Sequence, residues 1–138
     1  MKILVIDAQG GGVGRQLVAS IRQSAPDAVI MAVGTNNAAA AAMLKAGADN
    51  AATGENAVVV ACRRADVIVG PIGIVIADSL FGEITPAMAT AVGQSGARRI
   101  LIPINHCDNV VAGIRDVPMG ELIKDAVDRI LDFCAQRA

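Results

Sequence analysis

The sequence predicts an α/β fold: a single-domain, doubly wound (Rossmann-like) parallel sheet of about five strands with helices on both faces. Three observations predict it. Short, continuous β-branched runs such as Ile3-Leu4-Val5-Ile6 read as strands buried on both faces, which is the habit of a parallel sheet. Segments with helical spacing alternate with those runs along the chain. A chain of 138 residues, 54% hydrophobic and 18% charged, is rich enough in apolar surface to fold, as one domain over residues 1–138.

The elements follow in order. Ile3 to Ile6 is the first strand, and the glycine-rich residues 10–14 come at once after it. Val13, Leu17, Val18 and Ile21 then recur at helical spacing until Pro26 ends the helix. Residues 28–33 read as the second strand and residues 36–46 as an Ala-rich helix stopped by Gly47, with Thr35 or Asn36 as its cap. A short third strand is expected over residues 48–52, and Thr53 is placed to cap a helix over 55–64. Residues 66–70 are the next buried strand, and the apolar run 72–81 reads as a short helix. Thr85-Pro86 starts a further helix, with proline favoured at its first position. Residues 99–104 are the fifth strand and residues 109–115 a small strand or hairpin. From Pro118 onward a final amphipathic helix carries Leu122, Ile123, Val127, Ile130, Leu131 and Cys134 on one stripe.

Composition removes several function classes. Twelve Lys+Arg against thirteen Asp+Glu leave a net charge of −1, so nothing draws the chain electrostatically to nucleic acid or to an anionic membrane. With no Tyr, no Trp and two Phe, catalysis by a tyrosine, base stacking on a Tyr/Trp platform and an aromatic cage are excluded. Cys62, Cys107 and Cys134 are odd in number and far apart, so neither a disulfide framework nor a structural metal site is expected. The opening apolar run is too short for a signal sequence, and the run 67–77 is too short for a membrane span. The expected compartment is the reducing cytoplasm.

In a doubly wound sheet, ligands bind outside the carboxyl ends of the strands, at the switch point beside the first strand. That rule selects residues 7–14, 34–36, 70–73 and 105–107. Within them, Gly10, Gly11, Gly12 and Gly14 put four glycines into five positions between a buried strand and a helix. Glycine lets a ligand approach the backbone, and the helix start offers free N–H groups to an anion. The other reading is a glycine turn needed only for tight packing. Two stricter patterns fail. G-x-G-x-x-G has Arg15 at its third glycine, and a Walker-type loop has Arg15 and Gln16 where Lys and a hydroxyl belong.

The loop resembles the T-G-x-x-x-G-x-G pattern of short-chain dehydrogenases/reductases, with Gly12 and Gly14 at its last two glycines. Residues 65–74, with Gly70-Pro71, resemble that family's D-x-L-V-N-N-A-G-I segment, and Glu83-Ile84-Thr85-Pro86 resembles the start of its next helix. Asp49 falls near the acidic position that borders adenine there. The resemblance covers roughly the first 90 residues and implies a Rossmann-like half. The family's Tyr-x-x-x-Lys has no counterpart here, so its hydride transfer is excluded, while NAD(P) or another nucleotide stays open as a ligand. The second strand ends in Gly34-Thr35-Asn36, with no acid for a ribose hydroxyl. The whole chain more closely resembles a small bacterial family known as a domain of unknown function. The shared text is I-D-x-Q-G-G-G-x-G (6–14), A-M-L-K-A-G-A (42–48), T-G-E-N-A (53–57), G-P-I-G-I (70–74), G-E-I-T-P (82–86) and I-L-I-P-x-N (100–105).

The candidate binding set is Gln9, Gly10, Gly11, Gly12, Val13, Gly14, Arg15, Thr35, Asn36, Gly70, Pro71 and Asn105. In this reading residues 10–14 cradle a phosphate, Gln9 and Arg15 flank it, Gly70 to Gly73 let the ligand pass over the sheet, and Asn105 closes the far side. Asp7 either orients a ligand or braces the loop amides. Glu55 and Asn56 open a helix, and Asp78 and Ser79 interrupt an apolar run. His106 is the lone imidazole, beside Cys107, and adjacency in sequence alone makes no thiolate pair. The leading expectation is a protein that binds a small phosphate-bearing ligand, as a homo-oligomer with a dimer favoured. The alternatives are a small enzyme on a phosphorylated metabolite through Asp7, His106 or Cys107, and an interaction subunit joined through residues 72–81.

Overall fold

The computed structural model describes residues 1–104 and 108–137. Five strands form one parallel sheet: β1 (Lys2–Asp7), β2 (Val29–Gly34), β3 (Asn50–Thr53), β4 (Val67–Pro71) and β5 (Arg98–Ile102). Their order is β3-β2-β1-β4-β5, and every neighbouring pair is parallel. The connections are helices: α1 (Gly12–Ser24), α2 (Asn37–Lys45), α3 (Glu55–Arg64), α4 (Pro86–Gln94) and, after β5, α5 (Met119–Arg137).

Alternation along β1 divides the core in two. Ile3 and Val5 point to the face covered by α1, α2 and α5, where Leu17, Met43 and Ile130 pack on them. Leu4 and Ile6 point to the face covered by α3 and α4, with Val58, Met88 and Val92. Burial on both faces explains why the strands read as unbroken apolar runs. The chain leaves β1 toward β2 on one side and later returns to β4 on the other. The carboxyl end of β1 is therefore the switch point, where loops diverge and a crevice opens.

Three expectations are corrected. Residues 72–81 do not form one helix: a 3-10 turn covers Ile72–Val75, and left-handed backbone at Asp78, Leu80 and Phe81 breaks any continuation. Residues 109–115 form neither strand nor hairpin; Val110 and Ile114 lie exposed and no neighbouring strand offers a ladder. Thr53 does not cap α3, because it still belongs to β3, and the cap position falls to Gly54 at φ 99°. Elsewhere local chemistry acts as expected. Asn36 accepts the Ala39 amide at 2.9 Å to cap α2, and Thr85 caps α4 with Pro86 in its first turn.

Among the described residues no helix is long and apolar enough to cross a membrane. Larger hollows are surface grooves: about 610 Å³ along β5 and α5, reaching Ile72 and Pro103 just past the carboxyl ends of β4 and β5, and about 730 Å³ between α3 and α4.

Candidate functional site

The turn from β1 into α1 is organised by one carboxylate. Asp7, 5% exposed, accepts the Ala8 amide on one oxygen at 2.8 Å and the Gly14 amide on the other at 2.6 Å. The Val13 amide also faces it. Burial pushes the Asp7 carboxyl up, and the nearby charge of Glu83 adds to the rise; the amides of Gly14, Ala8 and Val13 pull it only part of the way back. Asp7 is a loop brace.

The four glycines divide into two pairs. Gly11 has φ +73°, its amide donates to the Ala8 carbonyl, and a Cβ there would meet the Ala39 backbone at 2.9 Å. At Gly14 a Cβ would meet the Met43 sulfur at 2.5 Å and the Asp7 Cβ at 2.8 Å. Packing alone requires glycine at both. Gly10 and Gly12 differ: neither has positive φ, and a Cβ at either would meet nothing within 4 Å. Both are exposed, and among the described residues no acceptor holds their amides. The open amides therefore number two, not the whole run 10–14. They border a cavity of about 180 Å³ lined by Asp7, Gln9, Gly10, Gly12, Val13 and Leu80. Arg15 is exposed one turn away, with no ion pair among the described residues.

Glu83 is the residue that sequence reasoning missed as part of the site. Its Oε1 accepts the Gln9 amide at 2.9 Å, the Thr35 hydroxyl at 2.5 Å and the Asn36 side-chain amide at 3.0 Å. Burial raises its carboxyl, but the donors Thr35, Gln9 and Asn36 together outweigh this and hold it below its ordinary value. It thus places a carboxylate at the end of β2, where the local sequence has none. The only sequence signal was its place in the G-E-I-T-P text. Gln9 itself stands at φ 53°, and its carbonyl accepts from Asn36.

Other candidates are placed differently. Gly70 is buried, and a Cβ there would collide with the Ile6 carbonyl oxygen; at Gly73 it would crowd Ser79 and Leu80. These two glycines serve close packing, and Pro71 is buried beside them. Asp49 lies at the opposite end of the sheet, where it accepts the Ile30 amide and pairs with Arg22 at 2.8 Å. The Glu55 carboxylate accepts the Thr85 hydroxyl, and Asp78 is exposed. Of the run 72–81, Gly73, Ile74 and Leu80 are buried in the protein's own core region and Phe81 is 94% exposed. Burial pushes the Cys62 thiol up to about 11, which leaves it inert. Asn105, His106 and Cys107 lie outside the described residues. Among those described, no cluster of three His, Cys, Asp or Glu could hold a metal ion.

Residues 2–135 match the profile of a domain of unknown function, DUF3842. The chain belongs to the DUF3842 family. No curated protein matches it. Among solved structures, one similar chain is the dodecameric FMN-dependent UbiX-like decarboxylase from Escherichia coli O157:H7. It is 17% identical, with a TM-score of 0.51 over 98% of this chain and 95% of that one. At that identity the likeness is one of fold, and it places the DUF3842 chain among Rossmann-like α/β proteins. The likeness to short-chain dehydrogenases/reductases reduces to that same shared architecture.

Proposed function

We propose that this DUF3842 protein binds a small phosphate-bearing ligand, with the phosphate on the amides of Gly10 and Gly12 at the start of α1. One observation carries the reading. Glycine at these two positions serves neither packing nor backbone conformation, and it leaves two amides open beside a cavity at the switch point. A glycine without a fold reason leaves room for something other than the protein. The 13-residue helix behind it adds partial positive charge, and Arg15 supplies an exposed cation nearby.

The cavity's size bounds the ligand. About 180 Å³ holds a phosphate group and falls below the roughly 300 Å³ of a typical small-molecule pocket. A nucleotide or a flavin mononucleotide, as named for the UbiX-like decarboxylase, fits here by its phosphate end. Its remainder needs a further wall, which a second copy of the chain would supply; a homo-oligomer, a dimer first, is the assembly this reading favours. Of the reading as a small enzyme, Asp7 gives no support, because both its oxygens are engaged by the backbone.

A thermal-shift panel of inorganic phosphate, AMP, FMN, NAD and NADP tests the reading, run on the wild type and on Gly12→Asp. A ligand at about 100 Kd stabilises by about 2.7 kcal/mol, a clear rise in Tm. The Asp side chain has room and is favourable in a first helical turn, so the free variant keeps its stability while repelling an anion. The expected result is a shift in the wild type that the variant loses. No shift with any phosphate compound, or an equal shift in both proteins, contradicts it.

A further inference from the structure

We infer that the turn over residues 76–84 is a latched gate on the glycine loop, with Glu83 as the latch and Leu80 as the residue that sets the size of ligand admitted. The size gate rests on the proposed function; the latch stands on contacts within the free protein.

The turn is held in a form that needs contacts to enforce it. Asp78, Leu80 and Phe81 have φ of 64°, 56° and 59°, and Gly82 has 81°. Three non-glycine residues in left-handed backbone within four positions are disfavoured unless surrounding contacts enforce them. Ties within the turn and its base supply part of those contacts: the Asp78 amide donates to the Ile84 carbonyl at 2.7 Å, the Gly82 and Ile84 amides donate to the Ser79 carbonyl at 3.2 and 3.3 Å, the Ser79 and Glu83 amides to the Ile76 and Leu80 carbonyls at 3.2 Å, and the Ser79 hydroxyl to the Gly73 carbonyl at 2.5 Å. Gly73 seats that base, since a Cβ there would stand 3.0 Å from the Ser79 oxygen.

One tie crosses to the opposite wall. The Glu83 carboxylate gathers the Gln9 amide, the Thr35 hydroxyl and the Asn36 side chain, 74, 48 and 47 residues away in sequence. It joins the turn to both the β1–α1 and β2–α2 loops. Leu80, 3% exposed, lines the cavity, whereas Phe81 is 94% exposed. The turn thus grips the body on its inner side and is free on its outer side. Releasing Glu83 frees the Gln9 amide on the facing wall and leaves Gln9 held only through its carbonyl, by Asn36 at 2.9 Å, so the two walls loosen together. With Leu80 in place the cavity takes a phosphate; with Leu80 withdrawn it takes more of the molecule that carries the phosphate.

Amide exchange followed by NMR on the ligand-free chain tests the latch. In Glu83→Ala the Gln9 amide is expected to exchange about tenfold faster, while the Gly14 amide, held by Asp7, is unchanged. Thr35→Val, which removes one donor, gives a smaller rise at the same amide. Unchanged Gln9 exchange in Glu83→Ala overturns the latch. For the gate, Kd is measured for inorganic phosphate and for FMN in wild type, Leu80→Val and Leu80→Ala. The FMN-to-phosphate Kd ratio is expected to fall about tenfold in Leu80→Ala and part of the way in Leu80→Val. A constant or rising ratio overturns the gate. If neither compound binds any of the proteins, the reading of the site fails and the size gate with it, while Gln9 exchange still decides the latch.

Discussion

The two ends of the sheet use carboxylates in opposite ways. At the amino end, Asp49 accepts the Ile30 amide and Asp66 accepts the Lys2 amide, and each is met by an arginine, Arg22 at 2.8 Å and Arg137 at 3.2 Å. Arg22 also donates to the carbonyls of Gly47, Pro26 and Ala28. At the carboxyl end, Asp7 and Glu83 accept only from amides and a hydroxyl, with no cation paired to either among the described residues. The amino end is electrostatically complete. The carboxyl end is held together by backbone dipoles and leaves two amides over. Paired charges mark the first end, and open amides the second.

The sharpest break of this contrast is within the glycine loop. Gly14→Ala forces a methyl group against Asp7 and Met43 and is expected to cost about 3 kcal/mol, read by urea unfolding. Gly10→Ala, in open space with ordinary φ, is expected to change stability by less than about 1 kcal/mol, in the stabilising direction. Equal losses at the two positions would mean that the loop is uniformly packed and the division between its glycines is wrong.

A smaller effect separates the two ends by pH. Asp66 is held below its ordinary value of 3.8, by the Lys2 amide first and Arg137 after it. Its contribution is complete above that value and is lost as pH falls through the folded one. Asp7 is raised, so the folded protein holds its proton more tightly than the unfolded chain does. Stability therefore declines as pH rises from 3.8 toward the folded value. Asp66→Asn should flatten the acid loss below that value, and Asp7→Asn should remove the gain on acidification just above it. Asp7→Asn also costs about 1–3 kcal/mol at neutral pH, because an amide nitrogen replaces an acceptor. Stability-pH curves by chemical denaturation check both slopes; slopes of the same sign for the two variants would erase the contrast.

The strand–helix alternation was legible because each strand is buried on both faces and each crossover helix shows its apolar spacing locally. The caps at Asn36 and Thr85 were legible for the same reason: their partners lie three residues on. The turn 76–84 was not, since Leu80 and Phe81 are residue types that give no sign of left-handed backbone, and the bonds that hold the turn follow no helical or strand spacing. Glu83 was hidden by distance, because its role exists only once the fold brings it against Gln9, Thr35 and Asn36. Glycine count pointed to the loop, but only the neighbours of each missing Cβ separate Gly11 and Gly14 from Gly10 and Gly12.

The most direct measurement is a titration of the isotopically labelled protein with inorganic phosphate and with FMN, following the glycine amides by NMR. The amides of Gly10 and Gly12 should move and saturate, while those of Gly47 and Gly96, in the loops that enter β3 and β5 at the amino end of the sheet, stay still. Immobile Gly10 and Gly12 signals, or equal movement with chloride, would contradict a phosphate seat at the head of α1.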